Sequence, residues 1–163
     1  MAQLVAEVAR RTRSEGELER RNRTMISIAL GRPLRETLES IVAGVESEDA
    51  EMFASIMLMA SDGRTLQSGA ALRLPRVFWE ALDGHEIGPL AGACGTAAHR
   101  RERVIVADIA TDPKWARHGR LMEMIDFKAC WATPVFGEGR ELLGVFVVYY
   151  RRTGSPTEDH LRI

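Results

Sequence analysis

Residues 128–150 read KACWATPVFGEGRELLGVFVVYY. Two runs rich in β-branched and aromatic residues flank GEGR at 137–140, whose glycines suit a tight hairpin turn. A second hairpin is predicted at Asp62-Gly63, between the apolar runs at 50–60 and 65–71. Strands joined by such short turns are antiparallel. We therefore predict an α+β domain built on a single antiparallel sheet of five to six strands.

Helical patterns precede and follow these strands. Residues 1–31 carry a weak heptad seam that starts at Leu4, and Pro33 opens a second, amphipathic helix. Ser155, Pro156 and Glu158 form a capping box that announces a further helix. The predicted organisation is a linker helix over 1–31, the α+β domain over 32–154 and the start of a C-terminal signalling helix, truncated at the chain end, over 155–163.

The glycine-rich middle of the chain, residues 84–131, is the predicted cover of the sheet. It contains a short helix near 96–101 and a segment that begins at Asp112-Pro113, a good helix N-cap followed by proline at the first helical position. We expect these loops and short helices to form a lid on one face of the sheet. The terminal helices would then share the opposite face.

Charge and hydropathy restrict the partners. The chain has 22 basic and 23 acidic residues and a formal net charge of -1, so it has no global attraction to nucleic acid or to an anionic membrane. Its apolar runs are far shorter than a membrane helix, and its first residues lack the pattern of a signal peptide. Two cysteines without a CxxC pair fit a reducing compartment. The expected location is the cytoplasm.

Three segments together resemble a known family: IGPLAGACGTAAHRRERVIVADIATDPKW at 87–115, FKACWATPVFGEGRELLGVFVVYY at 127–150 and SPTEDHLRI at 155–163. They are similar to the GAF domain, a PAS-related fold, and in particular to the bacterial subgroup upstream of diguanylate cyclase, phosphodiesterase and histidine kinase output domains. The resemblance covers roughly residues 33–163. It departs from the subgroup at Ala93 and Ala132, where serines are usual, so two hydroxyl groups are missing.

The resemblance implies a sensory domain of a signal-transduction protein. Such a domain binds a small molecule on one face of its sheet, forms a homodimer through its terminal helices and controls an output domain fused after them. Two alternatives stay open. One is a dimerisation scaffold that binds no ligand, and the other is an enzyme.

The enzyme alternative is a free methionine-(R)-sulfoxide reductase, a class that this chain resembles at GACGTA. The resemblance places Cys94 at the position of a resolving-type cysteine. In those enzymes the attacking cysteine lies in the lid, where this chain reads WARHGR and has no cysteine. Because reduction of a sulfoxide needs a thiolate nucleophile, we expect the domain to be non-catalytic.

No cofactor is required by the sequence. The Asn-Lys-Phe-Asp-Glu signature of relatives that bind cyclic nucleotides is absent, since the only asparagine is Asn22. Relatives that attach a bilin usually use a Cys-His pair, which neither cysteine here has. Haem would need His99 or His118, and a single loop histidine is more often solvated than a ligand. The four histidines show no metal-site spacing.

Six residues are candidates for ligand contacts, each with a structural alternative. Cys94 precedes a predicted helix, where a thiolate is favoured, but a buried cysteine between glycines also serves as a small apolar residue. Thr96 and Asp108 fit either a ligand or local capping. If the lid folds over the strand that carries Trp131, then Trp115, Met122 and Trp131 would line an apolar cavity.

Overall fold

The computed structural model describes residues 31–158 and 160–162, without the side chains of Met122, Glu123 and Arg162. The linker helix predicted over 1–31 therefore lies, apart from Gly31, outside the described residues. None of the described helices is long and apolar enough to cross a membrane.

Six strands form one sheet in which every neighbouring pair is antiparallel, in the order β3-β2-β1-β6-β5-β4. The strands are β1 (Met52–Met59), β2 (Thr65–Ala71), β3 (His85–Glu86), β4 (Val104–Val106), β5 (Ala129–Phe136) and β6 (Leu142–Tyr150). The sequence prediction of a single antiparallel sheet in an α+β fold is confirmed.

The predicted turn at Asp62-Gly63 joins β1 to β2. Gly63 has a φ of 64°, a left-handed conformation that glycine adopts without strain. The Asp62 carboxylate accepts hydrogen bonds from the backbone N–H groups of Arg64 and Thr65 at 2.8 and 2.9 Å. The local sequence thus fixes the register of the first hairpin.

One face of the sheet is packed against helix α1 (Leu34–Glu46). Val42 and Val45 of this helix are buried against Met52, Ile56 and their neighbours, as amphipathic spacing predicts. Leu34, at the start of the helix, is 62% exposed and lies beyond this contact. We call this side of the sheet the helix face.

The opposite side, the lid face, is covered by short elements. They are α2 (Arg76–Ala81), α3 (Gly92–Arg100), the 3-10 helix η1 (Pro113–Trp115) and α4 (Gly119–Glu123). From here on, the word lid is kept for residues 112–123 alone. This segment begins as predicted at Asp112, whose carboxylate accepts a 2.9 Å hydrogen bond from the Lys114 N–H. Helix α3 begins four residues earlier than predicted, so Cys94 lies within its first turn.

The C-terminal segment differs from the sequence prediction. Residues 155–157 have no regular structure, and a single 3-10 turn, η2, covers His160–Arg162. Thr157, rather than Ser155, caps this turn, since its Oγ1 accepts a 3.3 Å hydrogen bond from the His160 N–H. The His160 ring stacks on Trp131 with a centroid distance of 5.7 Å, which brings the segment back to the helix face.

Candidate functional site

A small hollow lies between the lid and the sheet. Four side chains that can hydrogen-bond to a ligand or react with it meet there: His85 from β3, Cys94 from α3, Trp115 from η1 and His118 just before α4. We call these four residues the His–Cys cluster. The other residues around the hollow are mainly apolar: Leu82, Gly92, Ala93, Leu121, Val147 and Tyr149. The cavity volume is about 10 Å³, room for about one water molecule.

Two glycines allow the first turn of α3 to approach the cluster. Gly92 has a φ of 61°, and a Cβ there would lie 3.9 Å from His85 Nε2 and from Trp115 Cε2. A Cβ on Gly95 would lie only 2.6 Å from the Glu86 carbonyl oxygen and from the Ala91 Cβ. Close packing therefore excludes a side chain at position 95, the left-handed backbone favours glycine at position 92, and Cys94 between them borders the hollow.

His85 is held in place and carries a proton at neutral pH. Its Nε2 lies 2.8 Å from the carbonyl oxygen of Ala91, the residue before α3. Burial alone would lower the pKa of His85, but a hydrogen bond and a charge interaction with Cys94, together with the Ala91 carbonyl, raise it to about 9. His85 and Cys94 thus border the same hollow, with His85 in its protonated form.

His118 is the neutral histidine of the cluster. Its ring centroid lies 5.2 Å from that of His85 and 6.1 Å from that of Trp115. Burial, and then the positive charge of His85, lower the pKa of His118. Buried His118 Nε2 and Trp115 Nε1 have no hydrogen-bond partner. Neutral His118 donates its other ring N–H to the Leu90 carbonyl, so that its Nε2 can only accept a hydrogen bond, whereas Trp115 Nε1 can only donate one.

Cys130 and Tyr149 lie deeper beneath the cluster. Cys130 is completely buried in β5, and this burial raises the pKa of its thiol far above the usual value. Burial likewise raises the pKa of Tyr149 well above its ordinary range. Both cysteines are free thiols. Of the two, Cys94 alone borders the hollow.

Of the six residues predicted to contact a ligand, Cys94 and Trp115 border the hollow. Thr96 is fully buried on α3, where its Oγ1 accepts a hydrogen bond from the Ala91 N–H at 3.2 Å and so braces the loop before the helix. Asp108 accepts a 3.0 Å hydrogen bond from the Ala110 N–H in a local turn. Both contacts match the capping alternative. The Met122 side chain lies outside the described part of the chain.

Trp131 does not meet Trp115, and the expectation that the two indoles share a cavity is wrong. Trp131 is buried on the helix face, stacked on Tyr150 with a centroid distance of 5.3 Å, whereas Trp115 belongs to the core of the lid face. Successive side chains of a strand point to opposite faces, and Cys130 occupies the inward position under the lid. Lys114, next to Trp115 in the lid, is paired with Asp112 at 3.0 Å.

His85 and Tyr149 were missed by sequence reasoning. His85 belongs to a two-residue strand and is isolated from other chemical residues in the sequence, so no motif could single it out. Arg117 and His118 border an open groove of about 540 Å³, which is also lined by His85.

The described residues offer no site for a metal ion or a haem in this conformation. Among the residues that the structure describes, no group of three or more His, Cys, Asp or Glu side chains is placed to hold a metal ion. His99 is exposed on α3. His118 faces a hollow of about 10 Å³, which has no room for a macrocycle in this conformation.

Comparison with known proteins decides the family. The model of the GAF domain family matches residues 31–163. The chain belongs to the GAF domain family. This GAF domain is 32% identical over 158 residues to the methyl sulfide methyltransferase-associated sensor of Methanosarcina acetivorans. The match covers 97% of this chain but only 16% of that protein.

Solved structures show the same fold. A protein described as a GAF sensor from Burkholderia vietnamiensis superposes with a TM-score of 0.69 at 19% identity, covering 91% of this chain and 85% of that one. The fRMsr of Staphylococcus aureus in complex with substrate gives a TM-score of 0.67 at 17% identity, covering 90% of this chain and 86% of that one. At such identities the likeness concerns the fold.

Proposed function

We propose that this GAF domain is the sensory domain of a larger signalling protein, and that the His–Cys cluster is its input site. The observation that carries the proposal is the meeting, beneath a lid, of two half-buried histidines with a buried thiol and a buried indole, where two nitrogen atoms lack partners among the described residues. A fold held together by apolar packing has no need of such a group, because buried unpaired polar atoms cost stability. The sensor function of the 32% identical relative supports the same reading.

The size of the hollow limits how the site can work. Because it holds about one water molecule, only a very small molecule can enter the conformation seen here. A larger ligand would have to select a conformation with the lid raised. In either case the signal depends on a difference in affinity between the two lid positions, since a ligand that binds both equally shifts nothing.

The output side of the domain would be the helix face. Helix α1 and the C-terminal turn η2 both pack there. A movement of the sheet would therefore change the direction in which these two segments leave the domain. We propose a fused output domain of the diguanylate cyclase, phosphodiesterase or histidine kinase class, and a homodimer formed through the terminal helices in the cytoplasm.

A ligand-free dimerisation scaffold is the second candidate. The helix face carries apolar side chains that nothing covers in the described chain: Leu34, Ile105 and Val135 are 62, 40 and 41% exposed. Such a surface suits a second copy. For this candidate, Leu34→Asp should convert a dimer to a monomer in native mass spectrometry, and no small molecule should raise the melting temperature.

The reductase alternative meets two obstacles in the structure. The hollow is far smaller than methionine sulfoxide, and the lid residues 112–123 contain no cysteine. The second thiol, Cys130, is fully buried. Turnover of free methionine sulfoxide with thioredoxin that is abolished by Cys94→Ser would nevertheless establish this activity.

Two tryptophan variants test the input site. Trp115 and Trp131 are each 4% exposed but lie on opposite faces, so Trp115→Phe and Trp131→Phe are matched controls. The probes are formate, nitrite, nitrate and acetate, small ions that need the lid raised and whose oxygens can accept a hydrogen bond from the Trp115 indole N–H. We expect at least one to raise the melting temperature in proportion to the logarithm of its concentration in the wild type and in Trp131→Phe.

The rise should disappear in Trp115→Phe and in His118→Ala. A response that survives Trp115→Phe but is lost in Trp131→Phe would place the input site on the helix face instead. A wild type that responds to none of the probes would favour the scaffold.

A further inference from the structure

We infer that the C-terminal segment, residues 155–162, is a two-state switch. The structure shows its docked state, a turn capped by Thr157, and its second state is a helix capped by Ser155. The inference is carried by two N-cap signals that overlap in one short segment and by the few contacts that select between them. It concerns the output side of the domain and goes beyond the proposed input site, on whose ligand it does not depend.

The docked state is held by the ring of His160. This ring is nearly parallel to that of Trp131, with an interplanar angle of 14° and centroids 5.7 Å apart, and its centroid lies 5.5 Å from that of Tyr150. His160 Nε2 lies 3.4 Å from the Tyr150 phenol oxygen. Trp131 and Tyr150 are themselves buried in the sheet. The docked state therefore depends on one half-buried side chain that stands on two fixed aromatic rings.

A second contact ties the turn to the edge of the sheet. Arg103 Nη2 donates a 3.1 Å hydrogen bond to the Leu161 carbonyl oxygen, and Arg103 Nε donates one of 3.0 Å to Thr133 Oγ1. Arg103 directly precedes the edge strand β4 and is exposed. A segment that is held by so few contacts can open locally while the sheet stays folded. Release of the turn therefore does not require unfolding of the domain.

The signal for a helix starts two residues before the turn. Ser155, Pro156 and Glu158 match the capping box, in which the serine and glutamate side chains bond each other's backbone N–H groups and proline takes the first helical position. In the structure Ser155 and Glu158 are both exposed, and neither side chain makes a hydrogen bond among the described residues. The docked state thus leaves the capping box unused.

The two caps exclude each other. An N-cap residue has a non-helical backbone, whereas the residues that follow it are helical. Thr157 caps the docked turn: its Oγ1 accepts a hydrogen bond from the His160 N–H, and its own N–H donates to His160 Nδ1, both at 3.3 Å. In a helix capped by Ser155, Thr157 would be the second helical residue and would lose both of these bonds. The segment must therefore adopt one register or the other.

A change of register would turn the segment to present other side chains. The two caps are two residues apart, and a helix has 3.6 residues per turn, so each side chain after the caps would rotate by roughly half a turn about the axis. The His160 ring could then no longer face Trp131. The domain would thus change what its C-terminal side presents to an output partner, without any change in the sheet.

Chemical shifts of the Cα carbons of residues 156–161, measured by NMR on the full chain, test the switch, because helix formation moves them downfield. His160→Ala removes the stacked ring. We expect it to raise the ratio of helix to docked turn about two- to tenfold, the effect of one aromatic pair, and so to move these shifts downfield. His160→Phe keeps a ring that can stack on Trp131 and should keep the wild-type shifts.

Two cap variants in the His160→Ala background show whether the released segment uses the capping box. Ser155→Ala should lower the helix-to-turn ratio about fivefold, the typical effect of losing an N-cap, and reverse the downfield movement. Thr157→Ala removes only the competing cap and should leave or increase the movement. Alanine is the better helix former at both positions, so only the loss of a cap can reduce the helix.

A second release acts from outside the segment. Arg103→Gln removes the donor to the Leu161 carbonyl oxygen, so it should raise the helix-to-turn ratio about two- to tenfold, the effect of one hydrogen bond. Arg100→Gln is the matched control, because Arg100 is exposed at the end of α3 and makes no hydrogen bond or ion pair among the described residues. Its shifts should equal those of the wild type. Melting curves of each variant establish that it is folded.

Random-coil or unchanged shifts in His160→Ala, or equal effects of Ser155→Ala and Thr157→Ala in that background, would each overturn the inference. The response of the melting temperature to the small anions is measured on the same samples. An anion response without the helical shifts would keep the input site and remove only the switch. Helical shifts without an anion response would keep the switch and remove the input site.

Discussion

Tyr150 donates a hydrogen bond of 2.5 Å to Asp49 Oδ2. The bond joins the end of β6 to the turn between α1 and β1. His160 Nε2 lies 3.4 Å from the same phenol oxygen, and the His160 ring stacks on Trp131. The two terminal segments of the described chain are thus connected through one phenol, on the face opposite the His–Cys cluster.

Removal of this phenol should weaken the fold. Tyr150→Phe keeps the stack on Trp131 but loses the hydrogen bond to Asp49. We expect the free energy of unfolding, measured in urea, to fall by about 1–2 kcal/mol, at the lower end for a bond to a charged group because Asp49 is 31% exposed. In the Asp49→Asn background, Tyr150→Phe should lower the free energy of unfolding clearly less. Equal decreases in both backgrounds would contradict the hydrogen bond between Tyr150 and Asp49.

Asp49 should contribute to the loss of stability in acid. The hydrogen bond from Tyr150, followed by that from the Glu51 N–H, lowers the pKa of Asp49. A group whose pKa is lower in the folded state stabilises it above the unfolded value, here near 3.8, and the stabilisation disappears as the pH falls through the folded pKa. Between pH 6 and pH 2, the free energy of unfolding measured in urea should therefore decrease less steeply in Asp49→Asn than in the wild type.

His85 should produce the opposite trend in alkali. Its folded pKa of about 9 lies above the ordinary 6.5, so its stabilisation is complete below pH 6.5 and is lost as the pH rises through 9. The loss corresponds to on the order of 3 kcal/mol. His85→Gln should remove this decline, whereas His99→Gln should keep it. A wild-type free energy of unfolding that is flat between pH 6 and pH 10 would show that His85 and Cys94 are not paired.

Gly95 should be intolerant of any side chain. A Cβ at this position would meet the Glu86 carbonyl oxygen at 2.6 Å, so Gly95→Ala should lower the free energy of unfolding by about 1–3 kcal/mol. Gly119 has no neighbour within 4 Å, and Gly119→Ala should change stability by less than about 1 kcal/mol. Thermal unfolding of both variants makes the comparison. Equal effects would mean that the approach of α3 to β3 is looser than described.

Local chemistry made much of the fold predictable. Asp62 and Gly63 specify a turn whose hydrogen bonds are all local, and Asp112 caps the lid through the N–H only two residues later. Features that close within a few residues can be read from the order of those residues. Ser155 was the exception: the cap formed at Thr157 because the stack of His160 on Trp131, a contact across the sheet, decided where the chain turns.

The candidate site was predictable only in part. Cys94 and Trp115 were found because a glycine-flanked cysteine and a lid tryptophan stand out in the sequence. His85 was not found, because nothing near it in sequence indicates that it meets a cysteine nine positions later. The sequence analysis placed Trp131 on the wrong face. Both sides of β5 are apolar, so the pattern of apolar residues along this strand does not show which side faces the lid.

The sequence by itself determined the two hairpins and the antiparallel sheet of this protein, because hydrophobic periodicity and turn chemistry act over a few neighbouring residues. Only the tertiary structure decided which side chains share the hollow. That choice depends on which face of a doubly buried strand turns inward and on how closely α3 approaches β3, and both are settled by packing between segments that are distant in the chain.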